Sequence, residues 1–234
     1  ELLDWLAMRF VESGYSIKAM HRLIMSSRTY QLASTAEPTT ADVENEFYSH
    51  FIQRRLDAES IRDTLLAVSG SLDVSPGGPH PFPEPRTWNF TQHAPFKAVY
   101  DTSRRSVYLM TQRIQRHPFL ALFDGADTNA STATRLNSTT SLQALFLMND
   151  PFVHAQASKF AARILAEGKD DASRIERAYW LLFSRVPTSG ESERATDYLA
   201  QLRTKLNQVD QGSTRAWESL TRALFMSNEF VYVE

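Results

Sequence analysis

The hydrophobic positions of this chain recur mostly at helical spacing. Leu2, Leu3, Leu6, Phe10 and Val11 form one such stripe, and Gly14 follows as a stop signal. Ser16 is placed to cap a second helix with Ile17, Met20, Leu23 and Ile24 on one face. A polar connection through Pro38 leads to Asp57, the cap of a third helix in which Ile61, Leu65 and Val68 face inward and Gly70 ends the run. Pro118 to Phe123 predicts a short helix, and Leu142 to Met148 a buried apolar one. Asp150-Pro151 reads as the cap and first residue of a helix with Val153, Ala157, Phe160, Ala161 and Ile164 inside. Around Tyr179 the pattern is apolar nearly all round, through Trp180, Leu181 and Phe183, which predicts a helix central to its bundle. Thr188 with Glu191 forms a capping box, and Ser213 opens a last helix with Trp217, Leu220 and Leu224 inward.

Two stretches break this rhythm. From Ser71 to about Arg104 no period is visible, and six of the ten prolines fall there. The same stretch carries Phe82, Trp88, Phe90, Phe96 and Tyr100, so it is expected to be an ordered loop pinned to the body by its rings. Ser106 to Met110 is the best strand candidate. The pattern as a whole predicts a mainly α protein: a single multi-helix, bundle-like domain over residues 1–234, with a long aromatic and Pro-rich loop over 71–104 and at most a short β element. About eight helices are expected. The first residues, Glu1-Leu2-Leu3-Asp4, lack an initiator Met and already read as helix, which suggests a piece excised from a longer chain.

Composition narrows the chemistry. With 234 residues and 42% hydrophobic content, the chain can bury a sizeable core. It has no cysteine, which excludes a disulfide framework, thiolate catalysis, Cys-ligated metal and haem attached through C-x-x-C-H, while leaving the compartment open. The first two helices look like a helix-turn-helix, with Lys18, His21, Arg22 and Arg28 as phosphate or base contacts. A net charge of -2, with Asp4 and Glu12 nearby, favours an ordinary α-hairpin that binds no nucleic acid. No apolar run approaches the roughly 18 residues of a membrane span, so no membrane insertion is expected. The six histidines lack metal-ligand spacing, although His80 and His93 share the long loop, so no metal is expected. No G-x-S-x-G elbow, P-loop or G-x-G-x-x-G is present. Arginine supplies most of the positive charge; it makes planar, bidentate pairs with carboxylates that lysine makes poorly, although a GC-rich genome gives the same bias.

One region concentrates candidate site residues. Asp124-Gly125-Ala126-Asp127-Thr128-Asn129 is an acidic loop bracketed by Arg104, Arg105, Arg113, Arg116 and Arg135. Such an arrangement suits an anion-binding pocket, or it satisfies itself through ion pairs of Arg105 or Arg135 with Asp124 and Asp127. The candidate ligand-binding residues are Arg105, Tyr108, Asp124, Asp127, Arg135 and Trp88, with the cleft between the aromatic loop and the Asp124–Arg135 region. A closed polar core with no cleft is the competing arrangement. Arg55, Asp57, Glu59, Arg62 and Asp63 read as a structural charge ladder at a helix start.

Several ordered blocks carry a family resemblance. Leu3-Asp4-Trp5-Leu6-Ala7, Phe10-Val11-Glu12-Ser13-Gly14 and His21-Arg22-Leu23-Ile24 make the first. Arg54-Arg55-Leu56-Asp57-Ala58-Glu59 with Ile61-Arg62-Asp63 makes the second. Arg104-Arg105-Ser106-Val107-Tyr108-Leu109, Phe123-Asp124 and Asn149-Asp150-Pro151-Phe152-Val153 make the third, and Ser227-Asn228-Glu229-Phe230 closes the chain. Together they resemble the planctomycete C-terminal domain-of-unknown-function family fifteen-fifty-three. The resemblance implies a bacterial, exported or periplasmic multidomain protein, often bearing a cytochrome-c-like domain, with the other domains of that protein as partners. Any haem would belong to an upstream domain, and no cofactor is expected in this piece. Two functions are compatible with this reading. One is a non-catalytic binding or scaffolding module, with a carbohydrate or an anionic compound as ligand. The other is an enzyme acting on cell-envelope or anionic polysaccharide material, with Asp124 or Asp127 as acid–base residues. In a mobility-shift assay at physiological ionic strength the protein is expected to form no sequence-dependent DNA complex; a salt-sensitive, sequence-dependent shift would contradict the charge argument.

Overall fold

Ten α-helices, one 3-10 turn and a two-stranded sheet make up the described part of the chain. In order these are α1 (Leu2–Glu12), α2 (Ile17–Met25), β1 (Arg54–Arg55), α3 (Ala58–Val68), the 3-10 turn Ser106–Tyr108, α4 (Pro118–Leu122) and α5 (Ser141–Asn149). Then follow α6 (Pro151–Glu167), α7 (Asp171–Phe183), α8 (Ser189–Lys205), α9 (Gly212–Phe225), α10 (Asn228–Val231) and β2 (Tyr232–Val233), which pairs with β1. The computed structural model describes residues 1–34, 42, 44–77, 100–113, 116–206 and 212–233. Trp88 and most of the 71–104 loop lie outside them. The protein is mainly α, as its periodicity predicts; the short α4 falls where the pattern places it, and of the described helices α10 is the one the pattern does not outline.

The chain folds into two compact units, Glu1–Arg54 with Tyr232–Glu234, and Arg55–Val231. In the first, Gly14 and Tyr15 both adopt left-handed φ values, +66° and +60°, and reverse the chain between α1 and α2. The Tyr15 ring meets Phe10 edge-on at 5.5 Å, and Ser16 caps α2 by accepting from the Ala19 N–H at 3.3 Å. No residue of α1 or α2 is buried, so the two apolar stripes shield one another only in part.

The second unit holds the core. Its centre is α6, which buries Val153, Gln156, Ala157, Phe160, Ala161 and Ile164. Phe160 stacks on Phe225 of α9 at 5.7 Å, and the Thr221 hydroxyl, fully buried, donates to Ala157 O at 2.9 Å across the same helix pair. Ser69, at the end of α3, donates to Gln156 Oε1 at 2.8 Å, which satisfies two polar groups that burial would otherwise leave unpaired. The caps expected at Asp57 for α3, at Asp150 for α6 and as the Thr188–Glu191 box for α8 are present, while Ser213 lies inside α9, which begins at Gly212.

Three expectations need correction. Ser106–Tyr108 is a 3-10 turn rather than a strand, because the Ser106 N–H and hydroxyl both bond Asp63 Oδ1, at 2.8 and 2.7 Å. Anchored to a helix side chain, this segment forms no ladder with a neighbouring strand. Helix α5 buries Gln143 and Leu147 but leaves Leu142 64% exposed, so it is covered on one face only. Helix α7 buries Ile175, Ala178 and Tyr179, while Trp180 is 49% exposed; α6, with neighbours on more sides, takes the central place.

Arg185 closes the α7–α8 corner. Its guanidinium donates to Glu191 at 2.8 and 2.9 Å and to Glu229 of α10 at 2.6 and 2.7 Å. It also lies over the Tyr179 and Phe183 rings. The Arg185 hydrogen bonds lower the Glu191 pKa from 4.5 to about 2, with burial opposing and Thr188 assisting. A depressed carboxylate stabilises the fold above its unfolded pKa, and that contribution is lost as the pH falls through the folded value. The melting temperature of Glu191→Gln is therefore expected to lie below that of the parent at pH 6, the gap closing between pH 4.5 and about pH 2. A gap independent of pH would remove the ionic explanation.

Candidate functional site

On α3, Ala58, Ile61, Arg62, Leu65 and Leu66 share one buried face, which places a charged residue inside a core stripe. The Arg62 side chain is 5% exposed. Its guanidinium donates to Thr102 O at 2.5 Å, Arg104 O at 3.0 Å and Ser106 Oγ at 3.2 Å, and lies 3.6 Å from the Asp63 carboxylate. Burial lowers its pKa and the Asp63 charge partly offsets this. The guanidinium also covers the Phe152 ring at 5.7 Å.

Beside this cation opens a cavity of about 290 Å³. Its apolar wall is built from Phe119 of α4, Phe146 of α5, Phe152 of α6, and Tyr100. Phe146 and Phe152 both stand edge-on to Phe119, with centroids 5.4 and 6.2 Å away, an arrangement that aromatic quadrupoles favour. The polar lining comes from Arg62, Asp101, Thr102, His117 and Asp150. Asp150 is already engaged, accepting from the Phe152 N–H at 2.8 Å as the cap of α6.

His117 is the unusual member. It occupies the cap position of α4, its carbonyl accepting from Ala121 N at 2.9 Å, yet its side chain makes no cap hydrogen bond. Nδ1 is buried with no hydrogen-bond partner among the described residues. Burial, followed by the Arg62 charge, lowers the His117 pKa, so the ring is neutral at neutral pH. A neutral imidazole carries one donor and one acceptor nitrogen, and among the described residues Nδ1 meets neither role.

Trp88 falls outside the described residues; the other residues singled out from the sequence lie in a different cleft or outside it. Asp124 adopts a left-handed φ of +59° at the end of α4, and the Gly125 N–H donates back to Leu120 O at 2.6 Å. Its carboxylate accepts from Arg55 Nη2 at 2.7 Å, from the Ser138 N–H at 2.8 Å and from the Ser138 hydroxyl at 2.9 Å. Burial alone would raise its pKa; the Ser138 and Arg55 hydrogen bonds outweigh that and hold it low. Its cation is thus Arg55, one of the residues read from the sequence as a helix-start ladder. Asp127 accepts from the Asn129 N–H at 2.9 Å, a bond that, with Arg116 nearby, lowers its pKa. Arg135 pairs with Glu59 at 2.5 Å. Asp124, Asp127 and Arg135 share a second cleft of about 250 Å³ with Arg116. Arg105 is exposed and makes no side-chain bond among the described residues. Tyr108 lies against Gly77, where an added Cβ would come within 2.3 Å of its ring. Neither Arg105 nor Tyr108 lines either cleft.

Sequence reasoning missed Arg62, His117, Tyr100 and Phe152 as a group. Arg62 did carry a signal, since it interrupts an i, i+3, i+4, i+7 apolar stripe. His117, next to a helix-opening proline, carried none. Among the described residues no group of three or more His, Asp and Glu could hold a metal ion, and no helix is long and apolar enough to cross a membrane.

Fold and cavity together define a mainly α-helical protein with an aromatic-walled pocket around a buried arginine. The chain belongs to the family PSD1, protein of unknown function (DUF1553), whose model matches residues 1–199. No curated protein and no solved structure matches it.

Asp124→Ala would leave Arg55 buried without its carboxylate and is expected to lower the unfolding free energy by about 3–5 kcal/mol in urea denaturation. Asp124→Asn, which tolerates the left-handed backbone and keeps an acceptor for Ser138, is expected to lose less. Equal losses would show that the charge is immaterial.

Proposed function

We propose that this chain is a non-catalytic binding module of an exported multidomain protein, and that the Arg62–His117 pocket seats its ligand. The observation that carries this reading is the convergence of four aromatic rings with the buried Arg62 and with His117 on one cavity. An apolar concave wall with few, fixed polar groups binds and orients a small molecule, and the wall contributes most of the affinity. Export, and a place beside the other domains of a longer protein, rest on the family resemblance. The module carries no cofactor of its own in this reading.

The enzymatic alternative has less support. A general acid needs a carboxyl group whose pKa is raised toward the working pH. Asp124 is held ionised by Arg55 and Ser138, and Asp127 closes a local turn with Asn129. The acidic groove that these two share mixes carboxylates with Arg116 and Arg135, so it presents no single-sign surface to an anionic polysaccharide.

Saturation-transfer NMR with a set of single-ring fragments tests the proposal. Several are expected to bind, and Phe146→Ala, which removes a wall ring that is only half-buried, is expected to weaken them about tenfold. Fragments that bind the parent and this variant equally would place the site elsewhere. Release of reducing ends from a polysaccharide by the purified protein would favour the enzymatic alternative.

A further inference from the structure

We infer that the ligand of this pocket is an uncharged apolar ring, the size of a single substituted benzene, held among Phe119, Phe146 and Phe152 without an ionic contact. This inference rests on the pocket being the binding site, and it adds the chemical class of the occupant.

Size comes first. A dry apolar cavity of about 150 Å³ is enough to hold a benzene ring. The pocket here is about 290 Å³, so one substituted ring fits and an oligosaccharide does not. The wall comes second. The cavity surface is mostly apolar, and Phe146 and Phe152 stand edge-on to Phe119 within it. A guest ring gains from these faces the offset and T-shaped contacts that aromatic quadrupoles favour, together with the apolar area it removes from water.

The polar lining decides the charge. Arg62 is its cation; the guanidinium donates to Thr102 O, Arg104 O and Ser106 Oγ, and the Asp63 carboxylate lies 3.6 Å away as its counter-charge. Asp150 caps α6 and accepts from the Phe152 N–H, so the positive end of a 17-residue helix offsets its charge. Burial, followed by the Arg62 charge, keeps His117 neutral. Thr102 spends its carbonyl on Arg62 and its hydroxyl on the Arg104 N–H. Asp101 is exposed, and a carboxylate in contact with water keeps its hydration. Each charge therefore has a counter-charge or solvent of its own. A charged guest would give up its hydration against the phenylalanine faces, an anion beside two carboxylates and a cation beside Arg62, with no unbalanced charge to offset the loss. A sugar would lose its hydration in the same way, since Thr102 is already engaged. A neutral ring incurs neither cost.

Toluene, benzoate, benzylammonium and methyl glucoside separate the possibilities in the parent protein, with dissociation constants from NMR titration and the site read from the ring resonances of Phe119, Phe146 and Phe152. Toluene is expected to bind at least about tenfold more tightly than any of the other three, and Phe146→Ala to weaken it about tenfold. Benzoate binding as tightly as toluene would replace the neutral class with an anion, benzylammonium with a cation, and methyl glucoside with a sugar. Each of these results overturns the inference and leaves the pocket as the binding site. Binding of none of the four, or shifts confined to residues elsewhere, would overturn both. N-acetylphenylalaninamide distinguishes the source of the ring: affinity equal to that of toluene identifies a phenylalanine side chain, and affinity at least about tenfold weaker identifies a free compound.

Discussion

Placing the Arg62 guanidinium inside the α3 face carries a desolvation cost of several kcal/mol, and the surrounding structure is arranged to offset it. The segment between Tyr100 and Ser106 supplies the acceptors: two backbone carbonyls and a hydroxyl, with Asp63 behind them. That segment must therefore run along α3. It does so by turning into a 3-10 turn, with Asp73 and Arg104 bridged at the base of the long loop. Phe152 lies against the same cation, which ties the first turn of α6 to α3. The cavity is the space left where α4 and α5 close over this arrangement.

The same device recurs at other corners of the unit. Arg55 reaches Asp124, Phe123 O and Ser138 O and so holds the polar loop after α4. Arg135 fastens the far end of that loop to Glu59 on α3. Arg185 joins Glu191 and Glu229. Each pair spans elements that apolar packing alone leaves unregistered. A planar fork with several fixed donors does this better than an ammonium, because one side chain can meet a carboxylate and a carbonyl together. The arginine-rich composition thus has a structural use, whatever its genomic origin.

This division of labour bears on function. The acidic loop with its arginines, the most conspicuous chemistry in the sequence, is absorbed into holding the fold, since its carboxylates are paired or closing turns and their pKa values are lowered. The aromatic pocket lies apart from that pairing, with Arg62, Asp101, Thr102 and His117 as its polar lining beside Asp150.

What the sequence by itself determined was local. Caps at Ser16, Asp57, Asp150 and Thr188, the stop at Gly70, and the inward faces of α3, α6 and α9 were legible because each depends on residues within one or two turns of one another. Family membership was legible from ordered blocks along most of the chain. Only the tertiary structure decided the rest. Ser106 reads as the start of a strand until Asp63, 43 positions away, takes its N–H. Asp124 looks available until Arg55, 69 positions away, pairs with it. The pocket draws on α4, α5, α6 and the 100–102 segment, which share no period. Burial is a property of all the neighbours together, so whether a charge is a ligand group or a structural one depends on contacts that no local pattern encodes.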